Sequence, residues 1–187
     1  MTTTSAIADR TAAALAVLAR GLALFDLPPG EKRPESGWQQ RTTTDPEQVR
    51  RWLAAGRNLG VGCRASAVVG LDLDRHGDGA DGIASFEALC SRYGQPWPAT
   101  LTTATPRAGL HLYFGVPADA VVLSTSGGTA GLGPGIDTRG PGRRSGGYLL
   151  AAGSVVAAGT YTVARDCPIA ELPAWLVPVL SASGRPR

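Results

Sequence analysis

Lysine, histidine and cysteine are scarce in this chain of 187 residues, which has one lysine and two histidines. Its three cysteines, Cys63, Cys90 and Cys167, lie far apart, and none belongs to a C-x-x-C pair. So few nitrogen and sulfur ligands argue against a structural zinc site. We therefore expect no structural zinc and interpret the cysteines as small buried or half-buried thiols.

The chain also lacks long apolar runs and a strong excess of charge. Its longest apolar runs, "AAALAVLA" and "YLLAAGSVVAAG", are far shorter than the ~20 residues that span a bilayer. The first residues, "MTTTSAIADR", lack the basic start and apolar core of a signal peptide. We therefore expect a cytoplasmic protein with no membrane partner. The net charge of +3 permits an anionic partner without requiring one.

The pattern of the chain predicts one α+β domain. With 187 residues, of which 43% are hydrophobic, the chain can form one compact domain but not two large ones. Helical periodicity is found at 7–20, 46–55, 83–93 and 168–183. Strand-like runs lie at 22–25, 58–63, 67–74, 99–106, 109–116, 147–156 and 159–164. We expect antiparallel strands with helices packed on one side. Because only "RAS" joins the runs 58–63 and 67–74, we expect these two to pair with each other.

Two aspartates end an apolar run in "VVGLDLDRH". On a strand, Asp72 and Asp74 point to the same face, because side chains alternate with period two. Their charges repel, so a positive group should lie between them, or one must be protonated or solvated. Mg²⁺ takes hard oxygen ligands, usually one or two carboxylates besides water and phosphates. The spacing fits such a site, and it fits equally a strand that runs into a solvated acidic loop.

Two further groups of polar residues could carry chemistry. In "GLHLYF", His111 lies on an alternating strand, where a lone histidine is more often a structural hydrogen-bonding group than a catalytic one. In "GIDTRG", Asp137 and Arg139 share one face of a short segment. The two charges of such a pair commonly do no more than neutralise each other.

Taken together, the three groups resemble the three motifs of the archaeo-eukaryotic primase superfamily. These motifs are an Asp-x-Asp strand, a later strand histidine behind a glycine, and a third aspartate before "GGY". The likeness is to the bifunctional DNA primase/polymerase N-terminal domain, the prim-pol module of replication proteins from plasmids, phages and integrated elements. It extends from "ALAVLARGLALFDLPPGEKRP" to "LPAWL". The order and spacing of these pieces are more specific than any single motif.

This chain departs from similar proteins at two loops. They commonly have two glycines before the motif histidine, where this chain has Ala108 and Gly109. They usually have Pro-Pro before the serine that corresponds to Ser154, where this chain has Ala152 and Gly153. Neither departure removes an acid, so they concern loop conformation and nucleotide preference rather than the chemistry.

The resemblance implies an RRM-like catalytic core, made of an antiparallel sheet with helices on one side, and a small N-terminal α/β part. The expected single domain spans 1–187, with the N-terminal part at about 1–57 and the core at about 58–180. A linker-like tail follows at 181–187. Relatives often continue there into a helicase, so a helicase domain or protein is an expected partner.

The resemblance also implies a reaction, a metal and a set of site residues. The expected activity is template-directed nucleotidyl transfer in DNA replication, on a single-stranded DNA template with a primer 3′ end and (deoxy)nucleoside triphosphates. The residues expected to be catalytic and to hold two Mg²⁺ or Mn²⁺ ions are Asp72, Asp74 and Asp137. Those expected to bind the nucleotide are His111, Arg139, Arg107 and Lys32. A weaker expectation is contact with nucleic acid by Arg143, Arg144, Arg50 and Arg51.

Two other functions stay open on the sequence alone. A non-catalytic RRM-like nucleic-acid-binding module should have stacking aromatic residues on adjacent strands, for which Tyr113, Phe114 and Tyr148 are the candidates. A metal-dependent nuclease or phosphatase could use the same acids with His111 as its base.

Overall fold

The computed structural model describes residues 3–75, 79–117, 120–126 and 132–182. The elements follow in the order α1 (Thr3–Ala19), β1 (Leu24–Leu27), a 3₁₀-helix (Trp38–Arg41), α2 (Pro46–Ala54), β2 (Asn58–Gly62), β3 (Val68–Leu73), α3 (Gly82–Arg92), β4 (Thr102–Ala104), β5 (Leu110–Gly115), β6 (Ile136–Arg139), β7 (Tyr148–Leu150), β8 (Val155–Val156), β9 (Gly159–Thr160), β10 (Thr162–Arg165), β11 (Ala170–Glu171) and α4 (Val177–Ala182). The predicted α+β class is confirmed.

The larger sheet has the strand order β10-β4-β5-β3-β6, and its neighbours in that order are antiparallel. The short strand β11 pairs with β5 in parallel. A second sheet has the order β1-β2-β7, and β8 and β9 form a separate hairpin. From β3 to β5 the chain follows the succession strand, helix, strand, strand.

The predicted pairing of the runs 58–63 and 67–74 is wrong. β2 lies between β1 and β7, whereas β3 lies between β5 and β6. Both strands are buried along almost their whole length, and an isolated two-stranded hairpin cannot provide that burial. Each therefore occupies the interior of its own sheet, and the turn between them passes through Ala67, which has a φ of 51°.

The larger sheet is covered on both faces. On one face, α3 packs Phe86 and Leu89 against strand residues such as Leu71 and Phe114. On the other face, α1, α2 and the second sheet share a core with Tyr113 of β5. The second sheet comes close to the first at Gly70, where a Cβ atom would lie 2.2 Å from Leu149 Cδ1. Glycine at this position therefore allows the two sheets to pack.

The end of the chain differs from the prediction, whereas the division expected near Arg57 falls within one sheet. β1 and β2 pair across the division expected near Arg57, so one sheet contains strands from both sides of it. The closing helix predicted over 168–183 is wrong, because that stretch contains β11, a turn and the short α4. Leu172 N donates to Gly115 O over 2.8 Å, which ties this segment to β5. Pro173 has no N–H to continue a helix. Of the predicted tail, 183–187 lies outside the described residues.

None of the helices in the described ranges has the length and apolarity needed to cross a membrane. Cys63 and Cys90 are buried and Cys167 is half-buried, all as free thiols. This confirms the interpretation of the cysteines as small buried or half-buried groups.

Candidate active site

Four polar side chains form a row across the larger sheet. In the register of the strands, Asp72 lies opposite Asp137 of β6 on one side and His111 of β5 on the other. His111 in turn lies opposite Thr103 of β4. Directly opposed residues of antiparallel strands have their side chains on the same face. The leucines that flank Asp72 point to the other face, into the core beneath α3.

Asp74 lies just beyond the end of β3, and its main chain is held on two sides. Its N–H donates to Gly135 O over 2.8 Å, and its carbonyl accepts from Gly82 N over 2.8 Å. Gly82 is packed so tightly here that a Cβ atom would lie 2.3 Å from Gly135 O. The start of α3 and the start of β6 therefore fix the position of the second aspartate.

A cleft of about 1160 Å³ lies over this row. Asp72, Asp74 and His111 line it. The basic residues that line it are Lys32, Arg75, Arg107, Arg139, Arg143 and Arg144. The structure thus brings together most of the site residues that the sequence predicts, with Asp72, Asp74 and His111 at the base of the cleft.

Three of the predicted residues lie outside the lining of the cleft. Asp137 lies beside it in the row, with its carboxylate 3.4 Å from Arg139 Nη2. Arg50 and Arg51 lie on α2, where they pair with Glu47 and with Asp45. These two arginines form ion pairs on the surface around their own helix, and neither ion pair reaches the cleft.

Opposing influences act on the Asp72 carboxyl. Burial is the largest and by itself raises the pKa. The neighbouring His111, Arg139 and Lys32 act in the opposite direction and outweigh burial, so the pKa of Asp72 lies below its ordinary value. His111 Nε2 lies 3.4 Å from Asp72 Oδ1. The positive surroundings of Asp72 therefore favour an ionised carboxylate at the base of the cleft.

The donor atoms of this site suit a divalent cation. Asp72 Oδ1 is buried, and His111 Nε2 at 3.4 Å does not complete a hydrogen bond to it, so this oxygen has no hydrogen-bond partner among the residues that the structure describes. A buried carboxylate oxygen without a partner is costly, and a cation would satisfy it. Carboxylate oxygens are the ligands that Mg²⁺ takes. Within the described ranges, no group of three or more acidic, histidine or cysteine side chains is arranged to hold a metal ion, so the observed arrangement is the opposed pair Asp72 and Asp137 with Asp74 nearby.

Sequence reasoning missed Tyr161 as a site residue. Its ring centroid lies 5.6 Å from that of His111, and it lines the cleft. Burial raises the pKa of Tyr161 to about 12, and the charges of Asp72 and Asp74 act in the same direction. Only the alternation in "GTYTVA" marks Tyr161 in the sequence, and alternation cannot show which distant strand its ring will meet.

The aromatic residues proposed for base stacking are poorly placed for it. Tyr113 and Phe114 are each 0% exposed, so neither offers a ring face to a base. Tyr148 is half-buried, and its hydroxyl donates to Lys32 O over 3.0 Å. The sheet therefore lacks, among the described residues, the adjacent exposed rings that an RRM-like binding module needs.

Comparison with known families identifies the chain. The family model for the N-terminal domain of bifunctional DNA primase/polymerases matches residues 14–175. The chain belongs to this family. No curated protein matches it. Membership implies nucleotidyl transfer of the DNA primase/polymerase type, with DNA and nucleotides as substrates, and this family generally depends on a metal. The resemblance inferred from the three motifs is thereby confirmed.

The two departures from the family pattern have conformational consequences in this prim-pol domain. Ala108, where relatives commonly have glycine, has a φ of 60°. It lies in the turn before β5, in which Ala108 N donates to Thr105 O over 3.1 Å. Gly153 has a φ of 90°, which proline cannot adopt. A proline at position 153 would therefore require a different conformation of the loop that follows β7.

We expect Ala108→Gly to stabilise the fold by about 0.5–1 kcal/mol, because the left-handed conformation is strained for alanine and free for glycine. Ala88→Gly, at an exposed position inside α3, is the matched control and should destabilise by about 1 kcal/mol. Chemical denaturation of both variants measures the two free energies of unfolding. Equal losses in both would show that Ala108 is not strained.

Proposed function

We propose that the cleft catalyses template-directed nucleotidyl transfer in DNA replication, as a primase, a DNA polymerase or both. The row of Asp137, Asp72 and His111 beneath a cleft rich in arginine carries this proposal. In the proposed reaction a primer 3′-hydroxyl attacks the α-phosphate of a nucleoside triphosphate in line, and pyrophosphate leaves.

Asp72, Asp74 and Asp137 would hold two Mg²⁺ or Mn²⁺ ions. When bound, such ions lower the pKa of the attacking hydroxyl and neutralise the triphosphate. The part of the protein is to present ionised carboxylates, and the lowered pKa of Asp72 supports that role. The antiparallel register of β3 and β6 keeps Asp72 and Asp137 side by side, which supports their role as joint ligands.

The basic residues of the cleft would bind the phosphates. Arg139 lies on the same strand face as Asp137 and can offer a planar pair of donors to phosphate oxygens. Lys32 and Arg107 line the cleft on other loops, so the triphosphate would be contacted from several directions. His111 would donate from Nε2, the nitrogen that lies beside Asp72. Pyrophosphate would leave towards these groups.

The template would follow the loop that contains Arg143 and Arg144. Arg64 anchors this loop, because its Nη1 donates to Gly142 O over 3.3 Å and to Arg143 O over 3.1 Å. Both exposed arginines therefore project from a supported backbone into the cleft. Their contacts would be to the phosphate backbone and independent of sequence.

Only the resemblance supports a proposal on the biological role and the protein partner of this domain. We propose that the domain serves the replication of a plasmid, phage or integrated element and works with a helicase domain or protein. We also keep the division into an N-terminal α/β part and an RRM-like core as part of this proposal.

The test is synthesis on a primed and on an unprimed single-stranded template, with ribo- or deoxynucleotides and with Mg²⁺ or Mn²⁺. The proposal predicts products longer than the primer, or new strands without one, in at least one combination. A nuclease would shorten the primer instead. A binding module would retain the template and leave its length unchanged, and either of these results would overturn the proposal.

We expect His111→Ala to raise the nucleotide KM roughly tenfold and to leave template affinity unchanged, because loss of one hydrogen bond to a charged phosphate is worth about that much. Steady-state extension gives KM, and fluorescence anisotropy with single-stranded DNA gives the template Kd. A thermal melt checks that the variant is folded. A weakened template Kd with an unchanged KM would instead assign His111 to the nucleic-acid surface.

A further inference from the structure

An ion-pair network centred on one buried carboxylate lies beneath the loop that carries Lys32. Asp26 of β1 is only 6% exposed. Its Oδ1 accepts from Arg41 Nε over 2.9 Å, and its Oδ2 lies 2.5 Å from Arg57 Nε. Arg57 continues outwards, because its Nη2 donates to Glu35 Oε2 over 2.5 Å. One buried carboxylate thus joins both ends of the segment 28–41 to the start of β2.

The same segment is pinned along its length. Asn58 Nδ2 donates to Glu31 O over 3.1 Å, and Tyr148 Oη donates to Lys32 O over 3.0 Å. The ring of Trp38 packs 4.3 Å from that of Phe25. The backbone on either side of the lysine is therefore fixed to the second sheet, while the lysine side chain is left to line the cleft.

Well-packed apolar residues could hold the loop about as stably as these ion pairs do. A buried ion pair gains little net stability over well-packed apolar residues, because its charges must be desolvated. Charged pairs add a defined geometry, because each arginine must lie close to one particular carboxylate oxygen. The lysine so directed is the only one in the chain, and it lines the same cleft as Asp72 and Asp74. The loop therefore sets the distance between a cation and the acids.

We propose that Asp26 is a positioning residue for nucleotide binding, which acts through Arg41 and Arg57 to hold the Lys32 loop over the acids. This inference rests on the proposed function of the cleft, because it takes the triphosphate to be the group that Lys32 meets. Asp26 itself does not line the cleft, so its effect must pass through the loop.

The kinetic test compares Asp26→Asn, Lys32→Ala and the double variant. Asp26→Asn should raise the nucleotide KM roughly tenfold with kcat and template Kd little changed, since it displaces one phosphate contact. The double variant should be no worse than Lys32→Ala alone, because residues that act through one another are not additive. Additive losses in KM, or an unchanged KM in Asp26→Asn, would overturn the proposal.

The matched control is Asp166→Asn, which removes the acid of an exposed ion pair with Arg20, 2.8 Å long and away from the cleft. It should leave KM unchanged. If Asp26→Asn does not fold, Glu35→Gln breaks the network at its outer end, where the side chain is 56% exposed. That variant should raise KM in the same direction by a smaller factor, and an unchanged KM would count against the proposal.

A second readout does not depend on activity. Because the chain has one lysine, isotope labelling of lysine gives a single side-chain NMR signal. In Asp26→Asn this signal should move towards that of a freely moving lysine, whereas in Asp166→Asn it should stay in place. An unchanged signal in Asp26→Asn would overturn the positioning role. If the wild type incorporates no nucleotide, the proposed function fails, but the signal still decides whether Asp26 holds the loop.

Discussion

Asp72→Asn and Asp137→Asn should each lower nucleotide incorporation roughly a thousandfold or more, as expected when several kcal/mol of transition-state stabilisation is lost. An amide keeps the shape of the carboxylate but lacks the charge that a divalent cation requires. We expect the same of Asp74→Asn. Single-turnover primer extension measures the effect.

The fold should survive these substitutions. Asp72 and Asp137 are opposed like charges, so removing one relieves their repulsion in the metal-free protein. It also removes an attraction to neighbouring basic groups such as Arg139, and the two effects oppose each other. Thermal melts without metal should therefore change little. Asp9→Asn, at an exposed position of α1, is the matched control and should alter neither activity nor stability. Unchanged incorporation in the site variants would exclude a catalytic role, and a large loss of stability in all of them would indicate a structural one.

Chelation should abolish nucleotide binding while template binding persists. Three acids repel a triphosphate when no cation is present, so titration calorimetry with EDTA should give no detectable heat of nucleotide binding. With Mg²⁺ or Mn²⁺ the binding should return. Template binding depends on arginines instead and should weaken with salt along a shallow slope, because a domain of net charge +3 can neutralise only a few phosphates.

The dependence of nucleotide binding on metal and the dependence of template binding on salt should be separable in one protein sample. A salt series on single-stranded DNA, with and without chelator, gives the control. Nucleotide binding that persists in EDTA would contradict the metal role of the acids. Absence of nucleotide binding under all conditions, with intact affinity for single strands, would favour a non-catalytic binding module.

Local sequence pattern predicted the face of each strand residue of the site but not its neighbours. Alternation in "VVGLDLD" put Asp72 and Asp74 on one face, and the core leucines on the other side of β3 agree with that. Which residues stand opposite Asp72 depends on register, and register is set by pairing between segments far apart in the chain. The motif resemblance supplied the link to His111 and Asp137 that the spacing alone could not.

The wrong strand pairing and the overlooked Asp26 have a common physical origin. The short connection "RAS" is a local hairpin signal, and it was overridden because β2 and β3 each bury both faces in a different sheet. Asp26 follows an apolar run and precedes Pro-Pro, so it resembles a loop acid. Its two arginine partners lie 15 and 31 residues further along the chain. No local pattern marks contacts of that kind.

If Asp72, Asp74 and Asp137 serve nucleotidyl transfer, the template base should choose the nucleotide that is added. The most direct test is addition of a single nucleotide to a primer opposite each of the four template bases, by the wild type and by Asp72→Asn. We predict that the wild type adds the complementary nucleotide in each case and that Asp72→Asn adds none. Addition that ignores the template base, or that continues in Asp72→Asn, would contradict template-directed transfer by these acids.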